Sequence, residues 1–195
     1  MNTKPSRHRQ GPGRPRAYDE AAALDAALQL FWTQGFEATS LDELTAAMGL
    51  SRSSFYAGFG SKEKVLIAAL SAYSEQALAA LAEIAHTPDG EPVPAMLAAL
   101  ADPNGGPRGC MLVNCITEMA PHNDEVAAVG RQHIERIEHL FAEALSPADP
   151  DAAAGRARAL AALAIGTVTL RKSGLSPEAI SAALSEAQTL FNASR

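Results

Sequence analysis

Residues 40–60, SLDELTAAMGLSRSSFYAGFG, leave the backbone few choices. Ser40 and Glu43 have the spacing of a capping box, and Leu41, Leu44 and Met48 give the short helix that follows an inner side. Gly49 stops that helix, Leu50 packs the turn, and Ser51 is placed to cap a second short helix over 52–57, which Gly58, Phe59 and Gly60 break. Upstream, residues 19–35 read as a longer helix opened by Asp19 and closed by Gly35. Leu24, Ala27, Leu28 and Phe31 share one of its faces, and Trp32 broadens it. Two short helices around a glycine turn, braced by a third, form the layout of a helix-turn-helix, whose second member lies in the DNA major groove.

The rest of the chain keeps the helical period. A long helix is predicted from Ser61 to about residue 86, with Val65, Leu66, Ala69, Leu70, Tyr73, Ala77, Leu81 and Ile84 on its apolar side. HTPDGEPVP and DPNGGPRG bound a short helix around 95–101, and further helices are predicted at 110–120, 124–145, 151–172 and 177–192. Ala and Leu recur and strand-like runs are missing, so the expected class is all-α, with about nine helices. Three parts are expected: a basic arm over 1–17, a DNA-binding domain over 18–64, and a regulatory and dimerisation domain over 65–195. The most apolar run, 159–170, is too short to cross a bilayer, and charges such as Glu75 and Glu83 interrupt longer candidates. No apolar signal follows the charged start, and Cys110 and Cys115, about 140° apart on a helix, read as reduced thiols. A cytoplasmic, nucleoid-associated protein with no membrane partner is expected.

The formal net charge is -6, but it is unevenly placed. Residues 1–64 carry eight Lys/Arg against seven Asp/Glu, and residues 65–195 eight against fifteen. An acidic body repels a polyanion, so contact with nucleic acid has to come from the first third. Arg52, Ser53 and Ser54 lead the third helix, where they can donate to base edges. Thr39 and Ser40 begin the second helix, and Ser61 and Lys62 the fourth, where free backbone N–H groups favour a phosphate. Residues 1–16 hold five Lys/Arg and no acid. Arg14 and Arg16, on either side of Pro15, suit an extended arm in a narrow minor groove; a solubilising tail explains the same letters.

The order Gly35-Phe36, Thr39-Ser40, Ala47-Met48-Gly49-Leu50-Ser51, Phe55-Tyr56, Phe59 and Lys62-Glu63 resembles the N-terminal domain of the TetR family of bacterial transcriptional regulators, over residues 18–66. The resemblance implies an all-helical homodimer with one reading head per subunit and a C-terminal domain for ligand and dimerisation. It places Tyr56 and Lys62 on phosphates, the start of the third helix on bases, and Thr39 or Ser40 on the backbone. Members often carry His or another aromatic two residues after the Tyr. Gly58 stands there in this chain, with no side chain to offer a phosphate.

The last two helices hold more apolar residues than one buried stripe needs, so Leu160, Leu163, Leu184, Ala187 and Phe191 are expected at a dimer interface; a monomer's own core is the alternative. CMLVNCITEM mixes polar groups into an apolar segment, and Cys110, Asn114, Thr117 and His133 are candidate ligand contacts, each also explicable as a satisfied buried group. Glu135 and His139 read as a solvated face, and neither a metal nor a cofactor is expected. The chain has no G-x-S-x-G elbow, no H-E-x-x-H and no Walker loop, so an enzyme is not expected. The function read from the sequence is a ligand-responsive repressor that binds a near-palindromic double-stranded DNA operator as a homodimer and is released by an unidentified small-molecule effector. A redox or electrophile sensor using Cys110 or Cys115, and a ligand-independent architectural protein, are the alternatives.

Overall fold

Each capping signal finds its partner. In the structure, a computed structural model that describes residues 18–88 and 90–193, with side chains described as far as residue 189, Asp19 accepts hydrogen bonds from the Ala21 and Ala22 N–H groups and opens α1, Glu20–Gln34. Ser40 and Glu43 complete the capping box of α2, Leu41–Ala47. Ser51 caps α3, Arg52–Gly58, and Ser61 caps α4, Lys62–Ala85. Between α2 and α3 the Gly49 N–H reaches the Ala46 carbonyl at 3.1 Å and the Leu50 N–H reaches that of Thr45 at 2.9 Å. This double closure is a Schellman motif, with Gly49 at φ +65°, where a side chain would be strained.

Then follow α5 (Pro92–Ala101), α6 (Met111–Met119), α7 (Asp124–Leu145), a 3-10 turn at Pro150–Ala153, α8 (Ala154–Lys172) and α9 (Pro177–Ala193). Among the described residues there are nine α-helices and no strand, the all-α class expected. Two boundaries move: α8 begins at Ala154 rather than 151, after the 3-10 turn, and α5 begins at Pro92 rather than near residue 95. A proline in the first turn lacks only an N–H that no helical carbonyl would have accepted.

Burial falls into two clusters. The first joins Phe31, Leu44, Phe55, Leu66 and Leu70 of α1–α4 to Met111, Leu112 and Cys115 of α6. The second joins Leu78 and Leu81 of α4 to Met96, Phe141, Leu160 and Ile180 of α5, α7, α8 and α9. α4 and α7 are common to both, α7 giving Val126 to the first cluster and Phe141 to the second, and a displacement along α4 reaches α1–α3. By length and composition alone α4 could cross a membrane, contrary to the expectation that charges break every such stretch; here its apolar side is used by the two cores.

The expected dimer residues need correction. Leu160 and Leu184 are 1% and 6% exposed and pack into the second cluster of their own subunit, because α5 and α7 already cover the apolar sides of α8 and α9. Leu163 and Ala187 are half-buried, and the Phe191 side chain lies outside the described residues. The surfaces left open are Ala159, Ala162, Gly166 and Leu170 on α8, and Ala179, Ala182 and Ala183 on α9.

Candidate nucleic-acid interface and cavity

One side chain holds α3 to the protein. Of its seven residues only Phe55 is buried, and its ring centroid lies 6.2 Å from that of Phe59 and 5.5 Å from that of Tyr56. Arg52, Ser53, Ser54 and Tyr56 are all exposed, Tyr56 at 54%. The Ser53 and Ser54 hydroxyls lie 3.0 and 2.9 Å from Ser51 Oγ. Arg52 already has a partner: its Nε and Nη2 donate to Asp42 Oδ1 on α2 at 2.9 and 2.6 Å. That hydrogen bonding, and then the charge of Asp42, raises the guanidinium above its ordinary range. Both side chains are mostly exposed, so the pair is weakly held and a base edge or phosphate can displace it.

The other DNA candidates are engaged internally. Thr39 is 1% exposed, and its hydroxyl donates to the Gly35 carbonyl at 2.7 Å. Lys62 Nζ donates to the carbonyls of Phe36 and Thr39, each at 2.8 Å, and sits 4.1 Å from the centre of the Phe36 ring. Lys62 therefore fastens the start of α4 to the α1–α2 loop. Ser40 shares its hydroxyl with the Glu43 carboxylate at 2.7 Å, and the Ser40 hydroxyl and N–H hold that carboxyl below its usual range. An anion already stands at the start of α2. Arg14 and Arg16 lie outside the described residues.

Gly58 now has a reason. A Cβ at this position would run into the Tyr18 hydroxyl, and the Tyr18 ring is held 6.0 Å from Phe59. The missing side chain makes room for the residue that leads into α1. Gly58→Ala is expected to cost about 1–2 kcal/mol despite alanine's better helix propensity, and Tyr18→Phe should recover most of it. Denaturant melts of the four proteins in this cycle check it, and strict additivity would show that the hydroxyl is not the obstacle.

Below the head, α1, α4, α5, α7, α8 and the α5–α6 loop surround a cleft of about 460 Å³ lined by Trp32, Tyr73, Leu81, Cys110, His133 and Arg171 among others. A more apolar cavity of about 130 Å³ shares Leu100, Cys110, His133 and Val168 with it. Two of the four expected ligand contacts, Cys110 and His133, thus line both spaces. Thr117 lines the smaller one, but its hydroxyl bonds the Val113 and Asn114 carbonyls of its own helix. Asn114 lines neither: its amide joins the Arg108 carbonyl to Lys172 Nζ, each at 2.8 Å, as a strut between the loop and α8. Sequence reasoning missed Tyr73, Arg108 and Arg171 as wall residues, and counted Trp32 with the packing of α1.

Burial pushes the Cys115 thiol up to about 12, with the charges of Glu118 and Cys110 adding to it, which leaves no reactive thiolate. Cys110 is the N-cap of α6, its Sγ 3.7 Å from the Tyr73 hydroxyl. His133 Nδ1 lies 2.8 Å from Ser74 Oγ. Burial, helped by Arg136 and opposed by Glu75, takes its imidazole down to about 4. An unfolded histidine titrates near 6.5, so as pH falls the unfolded chain takes the proton first. The stability this group contributes is complete above about pH 6.5 and is lost towards pH 4, by about 3 kcal/mol in all. Melts at pH 7.5 and pH 4.5 test this. Wild type should lose more than His133→Gln, and equal losses would exclude the assignment.

A short outward-facing helix after a glycine turn, on a helical body with an internal cleft, is also what comparison with known proteins returns. Residues 23–69 match the family model described as bacterial regulatory proteins, tetR family. Over 136 residues, 66% of this chain and 69% of the relative, the chain is 30% identical to an uncharacterised HTH-type transcriptional regulator of Bacillus subtilis, YezE. The chain belongs to the TetR family. It is also 36% identical over 122 residues to the HTH-type transcriptional repressor ComR of Escherichia coli, a match spanning 58% of that repressor's length. A TetR-family regulator, CifR, solved as a cysteine mutant on 26-base-pair operator DNA, superposes with a TM-score of 0.74 at 28% identity, over 90% of this chain and 97% of that one.

Proposed function

We propose that this TetR-family protein is a transcriptional repressor that holds a near-palindromic operator as a homodimer and releases it when a small molecule fills the cleft. The observation that carries the reading is α3: Phe55 holds it down while Arg52, Ser53, Ser54 and Tyr56 face outward at the end of a Schellman-locked turn. CifR, similar over nearly its whole length, was solved on operator DNA. The dimer forms through the open faces of α8 and α9, setting the two α3 helices on successive major-groove faces. Ser40 and one remaining Lys62 proton face the flanking phosphates, and Arg14 and Arg16 add affinity from the minor groove. The protein acts on nucleoid DNA in the cytoplasm. A ligand in the cleft presses on α4 and on Trp32 of α1, and so changes the separation of the heads. A coupling of about 1–3 kcal/mol would change occupancy about 5- to 150-fold.

Selection of bound fragments from random DNA should return a near-palindrome, and binding without sequence preference at modest ionic strength would overturn the reading. On that operator, Arg14→Ala with Arg16→Ala should reduce the salt slope by about 0.9 for each phosphate no longer neutralised; an unchanged slope removes the arm from the interface. A second reading rests on Cys110, whose half-buried Sγ lines the cleft 3.7 Å from the Tyr73 hydroxyl. Thiol titration with and without operator tests it: protection of Cys110 by DNA supports a sensing thiol, and indifference excludes one.

A further inference from the structure

The larger cleft has a charge that its domain lacks. Residues 65–195 carry eight Lys/Arg against fifteen Asp/Glu, yet the charged residues lining the cleft are Arg108 and Arg171 against Asp102 alone. Its hydrogen-bonding groups are unbalanced in the same direction. The Trp32 indole N–H and the Arg171 Nε–H are shielded from solvent and meet no acceptor. The Arg171 side chain is 8% exposed, and its Nη1 is fixed by the Ala101 carbonyl at 2.9 Å, the Asp102 carbonyl, and the Asp102 carboxylate at 3.3 Å. The orphan N–H thus belongs to an anchored guanidinium. Arg108 lies 4.6 Å above the Trp32 ring, gives Nη1 to Gln29, and makes no ion pair among the described residues. Buried donors without acceptors are rare in native proteins and mark the place of a missing partner. Along α4 the wall is mostly apolar, with Ala77, Ala80, Leu81 and Ile84, while Tyr73, Cys110 and His133 add uncharged polar groups.

We infer that the cleft takes a small organic acid, an aliphatic or alicyclic carboxylate whose anionic head is received by the Trp32 and Arg171 N–H groups beside Arg108, and whose body lies along α4. This rests on the effector-responsive reading above and names the ligand class. A carboxylate offers acceptors only and pairs with guanidinium; an ammonium would face two cations, and a neutral amide brings donors of its own to a wall already short of acceptors. Trp32 belongs to α1, and Tyr73, edge-on to it at 5.4 Å, belongs to α4. The acid's head therefore sits at the joint between the reading head and the helix that carries it.

The chain has a single tryptophan, so Trp32 fluorescence reports directly on the cleft. The full-length protein is titrated with hexanoate, octanoate and cyclohexanecarboxylate, and with the primary amides of the same acids. At least one acid should change the emission saturably with a midpoint below about 1 mM, and its amide should bind about tenfold or more weakly. Trp32→Phe, which keeps the ring, and Arg108→Gln should each weaken the acid about tenfold when binding is followed by thermal shift. Amides that bind as well as acids, or a Trp32 signal that no acid moves, would overturn the inference. Operator binding by the ligand-free protein is measured separately. Its failure would strike the regulator reading alone, and acid binding that leaves operator affinity unchanged would keep the ligand class while removing its role as effector.

Discussion

Phe55→Ala lowers the melting temperature by about 6–20 °C. Truncating a fully buried phenylalanine costs about 3–5 kcal/mol, and in a chain of this size each kcal/mol moves the transition by about 2–4 °C. The site cannot collapse to relieve the cavity, because α3 contributes no other buried side chain and the neighbouring rings of Phe59 and Tyr56 pack against Phe55 itself. Phe55→Leu, which fills most of the space, should cost less than half as much. Tyr56→Ala, one residue along and 54% exposed, should move the transition by no more than about 2 °C. Calorimetry of the three variants decides the matter: if Phe55→Ala and Tyr56→Ala melt together, α3 is not held by this ring and its outward presentation needs another cause.

The head was legible because local chemistry fixes it. Asp19, Ser40, Ser51 and Ser61 each cap where their spacing says, and Gly49 takes the positive φ that the turn between α2 and α3 requires. These signals act within four residues, so a single sequence carries them whole. What failed was long-range. Leu160 and Leu184 read as interface residues because helical period shows that a face is apolar but not which neighbour covers it, and Met96 and Phe141, far away in sequence, cover it within the subunit. Lys62 is likewise engaged at long range, by the carbonyls of Phe36 and Thr39 across 26 and 23 residues, which leaves one proton for a phosphate, whereas the Thr39 hydroxyl is taken locally by the Gly35 carbonyl. The cleft was the least legible feature, since Trp32, Arg108 and Arg171 come from three separate segments and converge only in the folded chain.

The second large effect follows from the Asp42–Arg52 pair. In the free protein both guanidinium donors are turned back onto α2, so on binding a base edge Arg52 has to exchange one carboxylate oxygen for a guanine edge. Arg52→Ala should then weaken the operator about 10- to 100-fold per half-site and relax preference at one base pair in each, while leaving non-specific binding almost unchanged. Asp42→Asn should act oppositely on affinity: it frees Arg52 and removes a negative charge from the face turned to DNA, so binding tightens on all sequences and selectivity narrows. Arg52→Lys separates a base contact from a phosphate contact. A bidentate guanine contact needs the planar fork, which lysine does not have, whereas a phosphate accepts either cation. Binding curves for specific and scrambled DNA give the answer: if Arg52→Lys keeps both wild-type affinity and wild-type selectivity, Arg52 serves the backbone, and base reading passes to Ser53, Ser54 and their neighbours on α3.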